Sequence, residues 1–231
     1  MAENIHKVQV VAQALGEIIE QVVFVGGSIV ELYADHPELS DIRPTLDIDC
    51  VMDLQINTYL DYCKLEERLR NLGFQNDTSE NAPLCRKIYR GIRVDFMPIN
   101  PEILGFTNNW YEDGVANKTS ITLPNGTAIF ILPVEYYLAT KLEAMHDRGG
   151  TDIRSSHDWE DIVYVLHNCI SFLQTLRQSN NSKLIDYLRE KFRILLNNNN
   201  IKEIIYSALP YNSEEESIEN LFDLMNKIKS L

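Results

Sequence analysis

Three carboxylates stand where apolar strands would exclude them: Asp47 and Asp49 within "LDIDCVM", and Asp95 within "IRVDFM". In an extended segment, residues two apart project from the same side. Asp47 and Asp49 therefore share one face, and Leu46, Ile48, Cys50 and Met52 share the other, ready to pack. Two carboxylates one strand repeat apart repel each other, and a hard divalent cation relieves the repulsion. Mg²⁺ takes one or two protein carboxylates and fills its octahedron with water and substrate phosphates. The second segment repeats the pattern, with Val94 and Phe96 on one side and Arg93, Asp95 and Met97 on the other. From a neighbouring strand, Asp95 could hold a second cation or take a proton from an attacking hydroxyl. Taken alone, the D-x-D spacing fits equally an exposed edge strand that its acids keep solvated.

The element upstream adds a second chemistry. The apolar run "QVVFV" stops at Gly26-Gly27-Ser28, and Ser28 opens a helical pattern. A strand, two glycines and a helix start present backbone N–H groups to an anion, and glycine lets a phosphate come close. Ser28-Ile29-Val30-Glu31 is also a capping box, in which Ser28 would serve its own helix. The run is not a Walker loop, which ends in G-K-[ST], nor the dinucleotide fingerprint G-x-G-x-x-G. Together, "VGGSIVEL", "RPTLDID" and "VDF" resemble the nucleotidyltransferase superfamily typified by DNA polymerase β, with a longer gap between Ser28 and Asp47.

A third group lies further on. Lys141 sits in the stripe Val134, Leu138, Leu142, Met145, and lysine is rare on a core-facing stripe. It either snorkels outward or points across a lobe boundary at a triphosphate. Arg148, Asp152, Ser155, Asp158 and Asp161 follow as a polar cluster. Ser155 and Asp158 fit a capping box, and Asp158 and Asp161 share a helical face. This run, with the motifs before it, is similar to the AbiEii/AbiGii family of nucleotidyltransferase toxins, which includes MenT-type proteins; the similarity spans Val22 to Leu166. The resemblance implies a Mg²⁺-dependent transfer of a nucleoside monophosphate from an NTP to an acceptor hydroxyl. The acceptor would be RNA, particularly a tRNA 3′ end, or a protein hydroxyl, and the chain a toxin of a toxin–antitoxin or phage-defence system with a neutralising antitoxin. By matching position, Ser28, Asp47 and Asp49 would serve nucleotide and metal, with Gly26 and Gly27 beside the phosphates and Asp95 as a further metal-holding or hydroxyl-activating acid. Lys141 would contact phosphate, Asp158 or Asp161 would complete the site, and Arg148 matches a family arginine.

These residues need a scaffold, and periodicity supplies one. Residues up to about Glu20 read as a helix, "QVVFV" and "LDIDCVM" as strands, and Tyr59–Leu72 as a helix burying Tyr62, Leu65, Leu69 and Leu72. Two strands flank Gly91, and Asn125-Gly126 marks a hairpin turn. After Pro133 the pattern is helical throughout, with further stripes at Trp159, Ile162, Val163, Leu166 and at Ile218, Leu221, Phe222, Met225, and a turn at Asn197–Asn200. The expected architecture is α+β: a nucleotidyltransferase-type mixed-sheet lobe over residues 1–133, then an all-helical lobe over 134–231.

Totals bound the function. The 231 residues carry a formal net charge of -13, which disfavours sequence-independent capture of nucleic acid and anionic membranes. RNA contact would need a local patch, and "RKIYRGIR" offers Arg86, Lys87, Arg90 and Arg93, with Tyr89 to stack on a base; the same run also reads as a solvated hairpin. Cys50, Cys63, Cys85 and Cys169 form no C-x-x-C pair and read as free thiols, and the histidines lack zinc-ligand spacing. With no membrane-length apolar run and a polar N-terminus, the expectation is a cytoplasmic protein. The acidic balance also suits a small cationic acceptor of aminoglycoside type. A non-catalytic module that senses nucleotide or docks a partner is a further reading, against which Asp47, Asp49, Asp95 and Lys141 all stand intact.

Overall fold

The computed structural model describes residues 3–37, 42–53, 56–148, 152–211 and 213–231. The Gly149–Thr151 part of the polar run falls outside them. The chain divides into two compact units, Met1–Ile29 with Ile42–Pro133, and Val30–Asp41 with Val134–Leu231. The division at Pro133 coincides with the change of periodicity. The segment from Val30 belongs to the helical unit, which local composition does not indicate.

The first unit contains α1 (Glu3–Leu15), β1 (Val22–Val25), β2 (Asp47–Met52), α2 (Tyr59–Asn71), β3 (Gln75–Asn76), β4 (Arg86–Tyr89), β5 (Ile92–Pro98), α3 (Pro101–Leu104), α4 (Tyr111–Ala116), β6 (Thr119–Thr122) and β7 (Ala128–Ile131). Among the described residues the strands form one mixed sheet in the order β3-β4-β5-β2-β1-β7-β6. β2 runs parallel to β5 and β1 parallel to β7, while β1 and β2 are antiparallel. The interior strand β1 is Val-Val-Phe-Val, at most 1% exposed, as expected of a strand covered on both faces. Two tight turns fix register. Arg90 and Gly91, with φ of 49° and 81°, join β4 to β5 in the left-handed conformation of a two-residue hairpin. Gly126, at φ 85°, turns the chain between β6 and β7. The helix α2 starts at Thr58 in a capping box with Asp61 and buries Tyr62, Leu65 and Leu69.

Two local expectations are corrected here. Leu46 was expected on the packed face of β2, but the strand begins one residue later and Leu46 is 79% exposed. The helix after the glycines is a short 3₁₀ segment, Gly27–Tyr33, and the Ser28 hydroxyl makes no capping bond in it.

The second unit contains α5 (Val134–Asp147), α6 (His157–Asn168), α7 (Phe172–Gln178), α8 (Ser182–Leu196), α9 (Ile201–Ala208) and α10 (Glu215–Lys229). α5 packs against α6, α7 and α8, and α10 covers α6, α8 and α9. Trp159 is fully buried and its indole Nε1 donates to the Ile204 carbonyl at 2.9 Å, tying α6 to α9. The stripe read on α5 is too narrow: every residue from Glu135 to Glu143 is buried. The expected cap at Ser155 is also displaced. Ser156 caps α6 by accepting from the Trp159 amide, while the Ser155 hydroxyl donates to the Asp152 carbonyl. Asp158 is thereby released from capping.

Candidate functional site

The sheet aligns the acids in one row. Arg86 on β4 is the register partner of Asp95 on β5, Asp95 of Asp49 on β2, and Asp49 of Val25 at the end of β1. The next residue is Gly26, with φ of 74°. A Cβ there would lie 2.0 Å from Asp49 Oδ2, so the carboxylate occupies the space that a side chain at 26 would fill. Asp47, two residues before Asp49, emerges on the same face of β2. Ile48 and Cys50, on the other, are fully buried. The two acids therefore point together, beside the glycine turn, on a strand flanked by β1 and β5.

Arg86 links two of the three acids. Its Nε donates to Asp95 Oδ1 at 2.8 Å, and one Nη2 donates both to Asp95 Oδ2 at 2.7 Å and to Asp47 Oδ2 at 2.9 Å. This is a bidentate fork on Asp95 with a bridge to Asp47. Arg86 is held above its ordinary pKa chiefly by that hydrogen bonding to Asp95, against the opposing effect of burial. The charge pattern alone offers Arg86 equally to an RNA-guiding patch or to a solvated hairpin. Its true partner depends on β4–β5 register, which the charge pattern does not reveal. Burial, with Asp95 close by, pushes the Cys85 thiol up to about 12. Burial, with Asp49 and Asp95 nearby, raises Cys50 well above the ordinary thiol value.

Among the described residues, no group of three or more His, Cys, Asp or Glu side chains forms a set that could hold a metal ion. The third acid, Asp95, is turned into the Arg86 fork. What the residues do fit is a pair: Asp47, whose side chain is 36% exposed and uses one oxygen on Arg86, and Asp49 over the glycine. Oxygen donors of this kind suit Mg²⁺, which needs only one or two protein carboxylates. Two residues after Gly26 the Ser28 hydroxyl is buried, at 2% exposure, with no hydrogen-bond partner among the described residues. A buried hydroxyl without a partner is costly, and a bound polar group would relieve it.

The rest of the basic run is largely engaged. Lys87 is 2% exposed and donates to Glu66 and the Leu84 carbonyl. Tyr89 is half-buried, its ring 4.8 Å from that of Phe74, and Arg90 lies 5.4 Å from its centroid. The expected open patch thus reduces to Arg90 and Arg93, both exposed.

In the helical unit the expected site residues form a network of their own. Lys141, 8% exposed, places Nζ 3.2 Å from Asp158 Oδ1 and 2.7 Å from Asp161 Oδ2. Arg148 completes it from outside, donating to Asp158 Oδ2 at 2.8 Å. Lys141 does not snorkel, and its ammonium is committed to two buried carboxylates of its own unit. That arrangement explains a lysine inside the buried stretch of the helix: each charge is paired where solvent is excluded. A pocket of about 480 Å³ opens beside Arg148 and Asp158, walled by Leu142, Met145, Ile153 and Ile194.

No protein-family model matches the chain, and no curated protein matches it. No helix among the described residues is long and apolar enough to cross a membrane.

Proposed function

We propose that the chain is a divalent-metal-dependent nucleotidyltransferase, moving a nucleoside monophosphate from an NTP to an acceptor hydroxyl. The observation that carries this reading is the placement of Asp49 directly over Gly26, with Asp47 beside it on the same strand face. Strand acids against a glycine turn match the pattern by which the sequence resembles the nucleotidyltransferase toxins. Asp47 and Asp49 would hold Mg²⁺, which supplies charge neutralisation at the phosphates when bound. Gly27 carries no Cβ to keep a phosphate from the backbone, and the Ser28 hydroxyl, without a hydrogen-bond partner among the described residues, can donate to one of its oxygens. Asp95, gripped by Arg86, fixes the guanidinium in the row. An in-line displacement of this type depends on such positioning and on fixed charges more than on covalent chemistry. Lys141, Asp158 and Asp161 form an ion-paired group within the helical unit.

RNA is the acceptor that the resemblance favours, and an antitoxin the partner it implies. One observation favours a small cationic acceptor instead: Lys87 is buried in an internal pair and Arg86 is paired with two acids, leaving the net charge of -13 with little local relief. Incubation with each α-labelled NTP, in the presence of total RNA or of an aminoglycoside, separates the two. A Mg²⁺-dependent labelled RNA band, absent with Asp49→Asn, supports the first. Label on the small molecule alone supports the second. Equal and negligible transfer by wild type and Asp49→Asn in every arm contradicts the enzyme reading and favours a non-catalytic module.

A further inference from the structure

Arg86 spends only part of its hydrogen-bonding capacity on the acids. A guanidinium carries five N–H groups in a planar fork. Nε and Nη2 are engaged with Asp95 and Asp47, whereas Nη1 has no partner among the described residues and is not sealed from solvent. The side chain is 18% exposed, so the free edge opens beside the carboxylates while the rest is fixed. Two carboxylates hold the fork in one orientation, and β4–β5 pairing holds the carboxylates.

Resting on the nucleotidyltransferase reading, we infer that Arg86 is the phosphate-recognising cation of this site. Its Nη1 edge receives an oxygen of the nucleotide's triphosphate, while Nε and Nη2 keep Asp95 and Asp47 in place. Charge makes this recognition conditional. Asp47, Asp49 and Asp95 against Arg86 leave two net negative charges in the row, which repel an anion. One divalent cation on Asp47 and Asp49 removes that excess, and Arg86 can then attract phosphate. Metal and phosphate should therefore bind in order. Arg86 also opposes the metal, since its positive charge shares Asp47.

These two effects give Arg86 opposite signs on two ligands, which a merely structural arginine would not have. The test titrates Mn²⁺, a paramagnetic stand-in for Mg²⁺, and then inorganic tripolyphosphate at saturating Mn²⁺, on wild type and Arg86→Met. Wild type is expected to bind tripolyphosphate only with Mn²⁺ present. In Arg86→Met, Mn²⁺ affinity is expected to rise, and tripolyphosphate affinity to fall by about tenfold or more, the loss of one charge-assisted hydrogen bond. A parallel fall of both ligands, or unchanged tripolyphosphate affinity, overturns the role of Arg86. Arg86→Lys serves if Arg86→Met does not fold: it keeps the charge but not the fork, so Mn²⁺ binding should hold while tripolyphosphate binding weakens, and wild-type tripolyphosphate affinity in it overturns the role. A short RNA distinguishes the source of the phosphate; if its binding falls in Arg86→Met and that of tripolyphosphate does not, the assignment to the nucleotide is wrong. Wild type that binds no Mn²⁺ at all defeats the metal site itself, and the functional reading with it.

Discussion

At the scale of residues, the decisive pair is Gly26 and Asp49. The left-handed φ of Gly26 and the 2.0 Å separation between a Cβ there and Asp49 Oδ2 each exclude a side chain. Gly26→Ala is therefore expected to cost about 1–3 kcal/mol in urea unfolding and to displace Asp49, with loss of Mn²⁺ binding. Wild-type stability and Mn²⁺ affinity in that variant would show that the close approach is unimportant. The pair was legible in the sequence because alternation and glycine are both local signals: a two-residue period places the acids, and Gly-Gly after an apolar run announces a turn. Arg86 was not legible. Its role follows from pairing across β4 and β5, and a run of four basic residues on a hairpin reads equally well as a surface patch. The same limit hid Lys87, whose partner Glu66 lies on α2.

At the scale of elements, α5 shows what periodicity can and cannot read. A helix with neighbours on several sides buries its polar residues too, so the stripe through Val134, Leu138 and Leu142 captured only one of its faces. Two of those residues carry predictions. Replacing Lys141 by Met removes the ammonium that buried Asp158 and Asp161 share, and a cost of about 3–5 kcal/mol is expected from chemical denaturation; a cost under about 1 kcal/mol would mean that the network is dispensable. Glu135 is 8% exposed, and its Oε2 has no hydrogen-bond partner among the described residues. Burial raises its pKa, so the folded state holds the proton more tightly than the unfolded chain. Its penalty is absent below the ordinary carboxylate range, grows as pH rises toward the raised folded value, and is complete above it. Glu135→Gln should accordingly gain about 1 kcal/mol at pH 8 and nothing at about pH 4, read by denaturation at the two pH values. An equal gain at both would assign the effect to something other than ionisation. The cap of α6 is a smaller case: Ser155 and Ser156 are adjacent candidates, and local sequence does not choose between them.

At the scale of the whole molecule, the change from strand to helical periodicity at Pro133 was readable, and the mixed sheet with a helical unit follows it. The assignment of the segment from Val30 to the helical unit was not, because tertiary packing rather than composition decides it. The net charge of -13 bears on the proposed function at this scale: the field of so acidic a chain opposes an anionic substrate, and a recruited cation with a few fixed donors would offset it. The most direct measurement is Mn²⁺ binding followed by electron paramagnetic resonance, with wild type and Asp49→Asn compared at matched stability. Saturable binding by wild type that is lost in Asp49→Asn is the expected result. Absence of binding in wild type, or equal binding in both, would contradict a metal site built from strand acids over the Gly26 turn.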